Sequence, residues 1–576
     1  MESNQLMTPW GETLDPQNAL KEYPRPQMVR DSYENLNGYW ECAFTAEGAK
    51  PDAWQQILVP FSPEAPLSGV DRALKPEEVL WYRRQLPKMD PQGGRVLLHF
   101  GAVDQQAEVF VNGVKVAQHM GGYTPFSADI TDALQNGEGE LLVRVKDDSD
   151  NSFHSRGKQK TARGNIWYTP QSGIWQTVWM ESTPEVYVRA LHTEQTENNC
   201  VKITADGVNE GILTLTSPDG EHSFPMKNGE AVISLENSRL WSPEDPYLYH
   251  YTLRAGEDEV RSYFACRSLE CAVVNGIPRI LLNGKPYFFH GLLDQGYFAD
   301  GGLTPASPVC YTNDIAAMKR LGFNMLRKHI KIEPERFYYD CDRMGMIVFQ
   351  DMVNNGGYSF FRDTALPTLG LKKLPDRWLH QNKKSRAAFL TAMEETVEML
   401  REHPCICYWT IFNEGWGQFC GDELYRKLKA LDSTRIIDPA SGWFGERESD
   451  VESLHVYFKP VKLTKPFPRP VILSEFGGYS LKLPAHSFNR EGNYGYRDFT
   501  EKEAFEEALV KLYRDEVLPA IRQGLCGAVY TQVSDVEDET NGLLTFDRRI
   551  CKVSEGAMCE VAKALFKAID QPHAII

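Results

Sequence analysis

Along the 576-residue chain the spacing of hydrophobic and polar positions changes character twice. Over residues 1–183 short apolar runs alternate with polar positions, as in EVFVNGVKVAQH (Glu108 to His119), GRVLLHFGAV, GELLVRVKD and GIWQTVWME. A period of two places alternate side chains on one face of a strand. Asn112-Gly113, between two such runs, is the sequence of a tight hairpin turn. Gly, Pro and Asp clusters separate the runs, so this segment is expected to be a jelly-roll or sandwich domain. From 184 to 272 the strands shorten and alternate cleanly, in VKITADG, GILTLTSPDG, EAVISLE and YLYHYTLRAG. They suit an immunoglobulin-like β-sandwich without the cysteine pair of antibody domains.

From 273 to 576 helical periodicity takes turns with apolar strands: NDIAAMKRLG then FNMLRKH, PERFYYDCDRMG then MIVFQDM, AAFLTAMEETVEMLREHP then CICYWTIFNE, and EAFEEALVKLYRDEVLPAIRQG then CGAVYTQVSD. About eight such units in about 300 residues predict a (β/α)8 TIM barrel, which makes the chain a multidomain β plus α/β protein.

Two barrel strands end on a carboxylate. CICYWTIF is apolar and β-branched or aromatic almost throughout, as a strand buried on both faces reads, and it runs into Asn413-Glu414-Gly415. VILS runs into Glu475-Phe476-Gly477-Gly478. One Asn-Glu-Gly could be turn chemistry alone. Two glutamates at the C-terminal ends of what count as about the fourth and seventh strands should face each other across the mouth where barrels place their chemistry. Such a pair is what glycoside hydrolysis requires: a proton for the departing oxygen and an anionic partner for the oxocarbenium-like carbon. Carboxyls about 5–5.5 Å apart imply retention of anomeric configuration; about 6.5–9.5 Å implies inversion.

Composition narrows the partners. A hydrophobic share of 42% excludes a largely disordered chain, and a net charge of −17 weighs against nucleic acid or an anionic membrane as partner. The N-terminal MESNQLMTPWGETLDPQ lacks the basic start and apolar core of a secretory signal, and no apolar run is long enough to span a bilayer, so a cytoplasmic protein is expected. Twelve cysteines, two of them as Cys405-x-Cys407 within an apolar strand, read as reduced, small hydrophobes. No Cys or His spacing suggests a metal, and no cofactor is expected.

The chain resembles glycoside hydrolase family 2, the group of β-galactosidases, β-glucuronidases and β-mannosidases. NGYWECAF, WYRRQL, FVNGVKVAQHMGGYTPFSADIT and GIWQTVWME match its sugar-binding jelly roll, and LWSPEDPYLYHYTL its immunoglobulin-like domain. GFNMLRKH, CDRMGMIVFQD, FNEGWG and ILSEFGG match its barrel. The resemblance implies Glu414 as general acid/base, Asn413 as the amide that binds the sugar 2-hydroxyl, and Glu475 as nucleophile of a retaining mechanism. It implies that Tyr457 hydrogen-bonds the nucleophile and that Arg327 lies near it, with a core aromatic and a structural ion pair as the respective alternatives. His329 stands one position earlier than the family pattern puts its histidine. Asp294, Gln295 and Asp351 are expected at sugar hydroxyls, although helix capping or turn formation explains an Asp there about as well; His455 is a further candidate, though a lone histidine on an apolar strand is more often a core residue.

The family's last strand carries a tryptophan where this chain has Tyr530, which predicts a sugar platform of different shape. The run Glu537-Asp538-Glu539 is expected to be solvated. Asn541 is followed by Gly542-Leu543, without the lysine that holds the substrate carboxylate in β-glucuronidases. A neutral hexose is therefore expected, unless Arg327, Lys328 or Lys331 supplies the charge. The expectation is an exo-acting, retaining β-galactosidase-type enzyme acting on a small glycoside or oligosaccharide. A β-glucuronidase or β-galacturonidase is the alternative enzyme, and a non-catalytic carbohydrate-binding protein the alternative class. Oligomers are common in the family, so a homo-oligomer is left open. Some members bind magnesium or sodium near the site; no compact ligand set in the sequence demands either.

Overall fold

A computed structural model describes residues 6–570 apart from 92, 197–198, 218–219, 236, 367–375, 446, 464–465 and 490. At the N-terminal end, a four-stranded and a six-stranded antiparallel sheet enclose a core that includes Trp40, Tyr82, Phe100, Val109 and Val143. The strand Gln106–Val111 buries every second residue against this core, each buried valine contributing about 1.5 kcal/mol or more relative to exposure. It turns through Asn112 (φ 48°) and Gly113 (φ 78°) into Val114–Met120, as the Asn-Gly pair predicts.

The second domain runs seven antiparallel strands from Ala190–Thr196 to Asp258–Phe264, with an apolar layer of its own around Val201, Ile203, Leu213, Tyr251 and Phe264. The expected boundary at 272/273 falls inside the strand Leu269–Val274, which pairs with Ile277–Leu282. A hairpin held by its own ladder straddles the point where the sequence period changes.

The barrel strands are β1 (Phe289–Asp294), β2 (Met325–Lys328), β3 (Ile347–Asp351), β4 (Ile406–Asn413), β5 (Ile436–Ser441), β6 (Glu452–Val456), β7 (Val471–Phe476) and β8 (Leu525–Tyr530). All pairings are parallel, in the order β5-β4-β3-β2-β1-β8-β7-β6. Between β5 and β6 side chains bridge the seam: the Ser453 hydroxyl donates to the Ala440 carbonyl at 3.3 Å, and Ser441 Oγ lies 3.1 Å from His455 Nε2.

Every residue of β4 is buried, as its unbroken apolar sequence requires. Its outer face is braced by the helix Lys383–Leu400. The Asn382 side chain caps that helix by accepting from the Lys384 and Ser385 amides, and its buried stripe includes Phe389, Met393, Val397 and Leu400. Phe389 stacks on Phe412 of β4 with ring centroids 4.8 Å apart, one residue before the chain reaches the mouth.

Candidate active site

Both glutamates reach the C-terminal mouth, Glu414 directly after β4 and Glu475 near the end of β7. Glu414 has φ 50°, a left-handed conformation that costs a non-glycine residue on the order of 1 kcal/mol. It keeps one ladder bond, its amide donating to the Ser441 carbonyl at 2.9 Å. A Cβ on the following Gly415 would come within 2.4 Å of the Phe444 ring. The Asn-Glu-Gly sequence is thus turn chemistry and a carboxylate mount at once: the turn bends the backbone so that the acid clears the strand.

Arg327, fully buried at the end of β2, organises the floor. Its Nε donates to Asp351 Oδ1 at 3.0 Å, Nη1 to Glu475 Oε1 at 3.1 Å and the Ser474 carbonyl at 2.9 Å, and Nη2 to Asn413 Oδ1 at 2.8 Å. The last bond fixes the Asn413 amide, since only its oxygen can face a guanidinium. The NH2 end has no hydrogen-bond partner among the described residues.

Glu475 also accepts from the Tyr457 hydroxyl at 2.5 Å, and Tyr457 lies 3.0 Å from Thr531 Oγ1. Burial alone would push the Glu475 carboxyl up. His455, Arg327 and His329, with the Tyr457 hydroxyl, outweigh it and hold the carboxyl below the usual carboxylate range. His455 joins the two acids: its Nδ1 is 2.8 Å from Glu414 Oε1 and 3.6 Å from Glu475 Oε2. One oxygen of each glutamate and the His455 nitrogen all lie within 4.8 Å of one another. The acids differ in access, with side chains 30% exposed for Glu414 and 6% for Glu475.

Two carboxylates and an imidazole this close are also a compact donor set for a cation, which the sequence did not reveal. They do not fit one. Arg327 and Tyr457 occupy the Glu475 oxygens, Glu414 occupies His455 Nδ1, and the guanidinium already sits where a metal's charge would be opposed.

Several expected sugar ligands lie beneath the mouth rather than in it. Asp351 gives one oxygen to Arg327 and the other to His329 Nδ1 at 2.8 Å, and both Asp351 and His329 are buried. They position Arg327, and each Asp351 oxygen already accepts from a buried neighbour. Asp294 bonds Lys328 Nζ at 2.7 Å and the Gly296 amide at 3.0 Å. Gln295 is buried, with neither amide atom hydrogen-bonded among the described residues.

The fold and this geometry find counterparts among known proteins. Models of glycosyl hydrolases family 2 match the sugar binding domain at residues 69–184, a further family 2 segment at 174–267 and the TIM barrel domain at 273–548. The chain belongs to glycoside hydrolase family 2. It is 26% identical over 488 residues to a β-glucuronidase of Chlorocebus aethiops, 75% of this chain and 71% of that one. To a β-galactosidase of Thermoanaerobacter pseudethanolicus it is 24% identical over 357 residues, 58% of this chain. That match spans 44% of the galactosidase's own length. Among solved structures, a β-D-glucuronidase of Dictyoglomus thermophilum superposes with TM-score 0.72 at 19% identity, covering 94% of this chain and 98% of that one. A β-galacturonidase of Eisenbergiella tayi, bound to galacturonate, superposes with TM-score 0.67 at 20% identity over 94% and 99%. At these identities the structural likeness establishes the fold.

This family 2 chain departs from its sequence reading at β8. Tyr530 is not a sugar platform: it is level with Phe476 in the ladder, so it shares the face opposite Glu475. It is fully buried, accepts from the Tyr479 amide at 3.1 Å and packs edge-on against Phe476. The next residue, Thr531, faces the mouth instead. Glu537 and Glu539 of the acidic run are not solvated either. Glu539 accepts from the Tyr168 hydroxyl at 3.1 Å and the Gln532 amide at 2.7 Å, and Glu537 from the Thr169 amide at 2.8 Å. These carboxylates fasten the jelly roll to the barrel, a role visible only once the two domains are placed together.

Ser441, Ser474 and Thr531 escaped the sequence reading because small hydroxyls at strand ends carry no distinctive spacing. Tyr496, whose ring stacks 3.9 Å from that of Tyr457, lies in a loop with no periodicity to place it.

Proposed function

We propose that this chain is a retaining exo-β-glycosidase that removes a terminal β-linked sugar by double displacement. The observation that carries the reading is the approach of Glu414 and Glu475 oxygens to within 4.8 Å of each other, which suits the short separation of a retaining pair better than the about 6.5–9.5 Å of an inverting one. The ionised, cation-held Glu475 is the nucleophile: it attacks the anomeric carbon as the glycosidic bond breaks. The more open Glu414 donates its proton to the departing oxygen. Glu414 then takes a proton from the water that displaces Glu475 from the sugar, restoring both groups. Asn413, its amide turned by Arg327, offers N–H to the 2-hydroxyl.

For the sugar, a β-galactoside is the first reading from the sequence. A β-uronide is the second, supported by the uronidases among the relatives and by the lysines described below. A cytoplasmic setting is proposed, in keeping with a reading of the cysteines as reduced, small hydrophobes. The test is proton NMR of the first-formed sugar from a nitrophenyl glycoside panel of galactosides, glucuronides, galacturonides, mannosides and arabinosides. The β-anomer is expected to appear first. Initial α-anomer would exclude double displacement, and no turnover of any member would favour a binding protein.

Arg327→Met tests the floor. Loss of the guanidinium removes a charge that lowers the Glu475 pKa, so the acid limb of kcat/KM is expected to move up by about 1–3 pH units. Breaking this buried network is expected to cost about 3–5 kcal/mol of stability, read as a lowered Tm. An unmoved acid limb in a folded variant would remove Arg327 from this role.

A further inference from the structure

The positive charges on the barrel floor are all committed. Arg327 is held by Asp351, Glu475 and Asn413, Lys328 by Asp294 and Glu333, and Lys331 by Glu333 and the Gly296 and Leu303 carbonyls. None of the three is free to meet a substrate anion.

Two other cations reach the mouth, from the jelly roll. Gln159 anchors a loop segment to that domain, its amide donating to Asp104 Oδ2 at 3.2 Å and to the Tyr123 hydroxyl at 2.9 Å. Gly157 (φ 63°) turns the chain just before Lys158. Lys160 Nζ lies 5.4 Å from the centre of the Trp167 ring, which packs edge-on against Trp416, two residues past Glu414. Lys158 Nζ lies 5.9 Å from the centre of the Tyr168 ring, whose hydroxyl bonds Glu539 after β8. The adjoining Gly157 sits against the loop after β2, where a Cβ would come within 2.8 Å of the Ile330 carbonyl. Lys158 therefore lies between the loops that follow β2 and β8. Its charge is felt on both sides: after burial, it lowers the His329 pKa, and it opposes the upward push of burial on Glu539. Neither ammonium has an ion pair or side-chain hydrogen bond among the described residues.

We infer that Lys158, reaching in from the jelly roll, binds the carboxylate of a β-linked hexuronic acid in the sugar site. This rests on reading the mouth as a glycosidase site. An ammonium without an ion pair among the described residues, near Glu539 and His329, gains from an anionic ligand what a neutral hydroxymethyl group cannot supply, because a charge-assisted hydrogen bond is about twice as strong as a neutral one. The lysine absent after Asn541 is replaced by one from another domain.

The experiment compares kcat/KM for nitrophenyl β-D-glucuronide and β-D-galacturonide with the matching glucoside and galactoside, in wild type, Lys158→Met and Lys158→Arg. The wild type is expected to favour at least one uronide over its neutral partner. Lys158→Met is expected to reduce that ratio about 100-fold, mainly through KM, with Lys158→Arg falling between. The ratio is internal to each variant, so a partial loss of folded protein cancels. In the wild type, free glucuronate or galacturonate is expected to inhibit better than glucose or galactose, and less well as salt rises. A wild type that favours neutral sugars, or a ratio unmoved by Lys158→Met, overturns the assignment. If Glu475 is still labelled by a 2-fluoro glycoside in that case, the glycosidase reading stands and only the Lys158 assignment falls. Failure to label with either sugar class removes both.

Discussion

Glu475→Gln is expected to lower kcat by on the order of 10⁵-fold and to abolish covalent labelling by a 2-deoxy-2-fluoro glycoside. The substitution keeps the side chain's shape and removes its charge. Its amide oxygen can still accept from either Arg327 Nη1 or the Tyr457 hydroxyl, now 3.1 and 2.5 Å from the two carboxylate oxygens. The floor should therefore persist, because Arg327 remains paired with Asp351. What is lost is the electron pair that forms the bond to the anomeric carbon. The fluorine at C2 slows both steps while a good leaving group rescues the first, so a competent nucleophile accumulates as the glycosyl-enzyme, read by mass spectrometry as an added sugar on the Glu475 peptide. Undiminished labelling of Glu475→Gln, or a label on another residue, would assign the nucleophile elsewhere.

The two acids were legible in the sequence because each ends a strand whose apolar run is long enough to recognise, and parallel strands in a barrel carry their C-terminal ends to one place. The hairpin at Asn112-Gly113 was legible for a similar reason: only a few residue pairs make that turn. What the sequence left hidden was the direction of side chains once several strands are set in register. Tyr530 and Thr531 are neighbours, and the ladder partner of Tyr530, Phe476, decides which of them faces the mouth. Asp351 looks like a sugar ligand at the end of β3 until Arg327 and His329 are seen to take both its oxygens. Contacts between domains were the least legible. Glu537 and Glu539 read as solvated charge because nothing local says that Thr169 and Tyr168, more than 360 residues earlier, come to meet them. Lys158 was overlooked on the same grounds, since its sequence neighbours belong to the jelly roll and its spatial neighbours to the barrel.

Glu414→Ala is expected to behave differently from the nucleophile variant. General acid catalysis contributes about 10²–10⁴-fold, and its share depends on how much the departing oxygen needs a proton. For a dinitrophenyl glycoside, whose leaving group departs as a stable anion, the first step should be nearly intact in Glu414→Ala. The second step should stall, because water is no longer deprotonated as it attacks. The glycosyl-enzyme then accumulates, with a burst of dinitrophenolate followed by slow turnover and a lowered KM. Azide needs no base and can enter the space vacated by a side chain that is already 30% exposed. Added azide is therefore expected to restore turnover and to yield the β-glycosyl azide, its configuration reporting two inversions at the same carbon. For an alkyl glycoside azide should give no rescue, since the slow step is then the first. His455 Nδ1 lies 2.8 Å from Glu414 and 3.6 Å from Glu475, so loss of Glu414 leaves that nitrogen facing the nucleophile while Nε2 keeps Ser441. If Glu414→Ala cleaves dinitrophenyl and alkyl glycosides with equal losses and azide changes neither, the proton comes from another group and Glu414 is a structural turn residue.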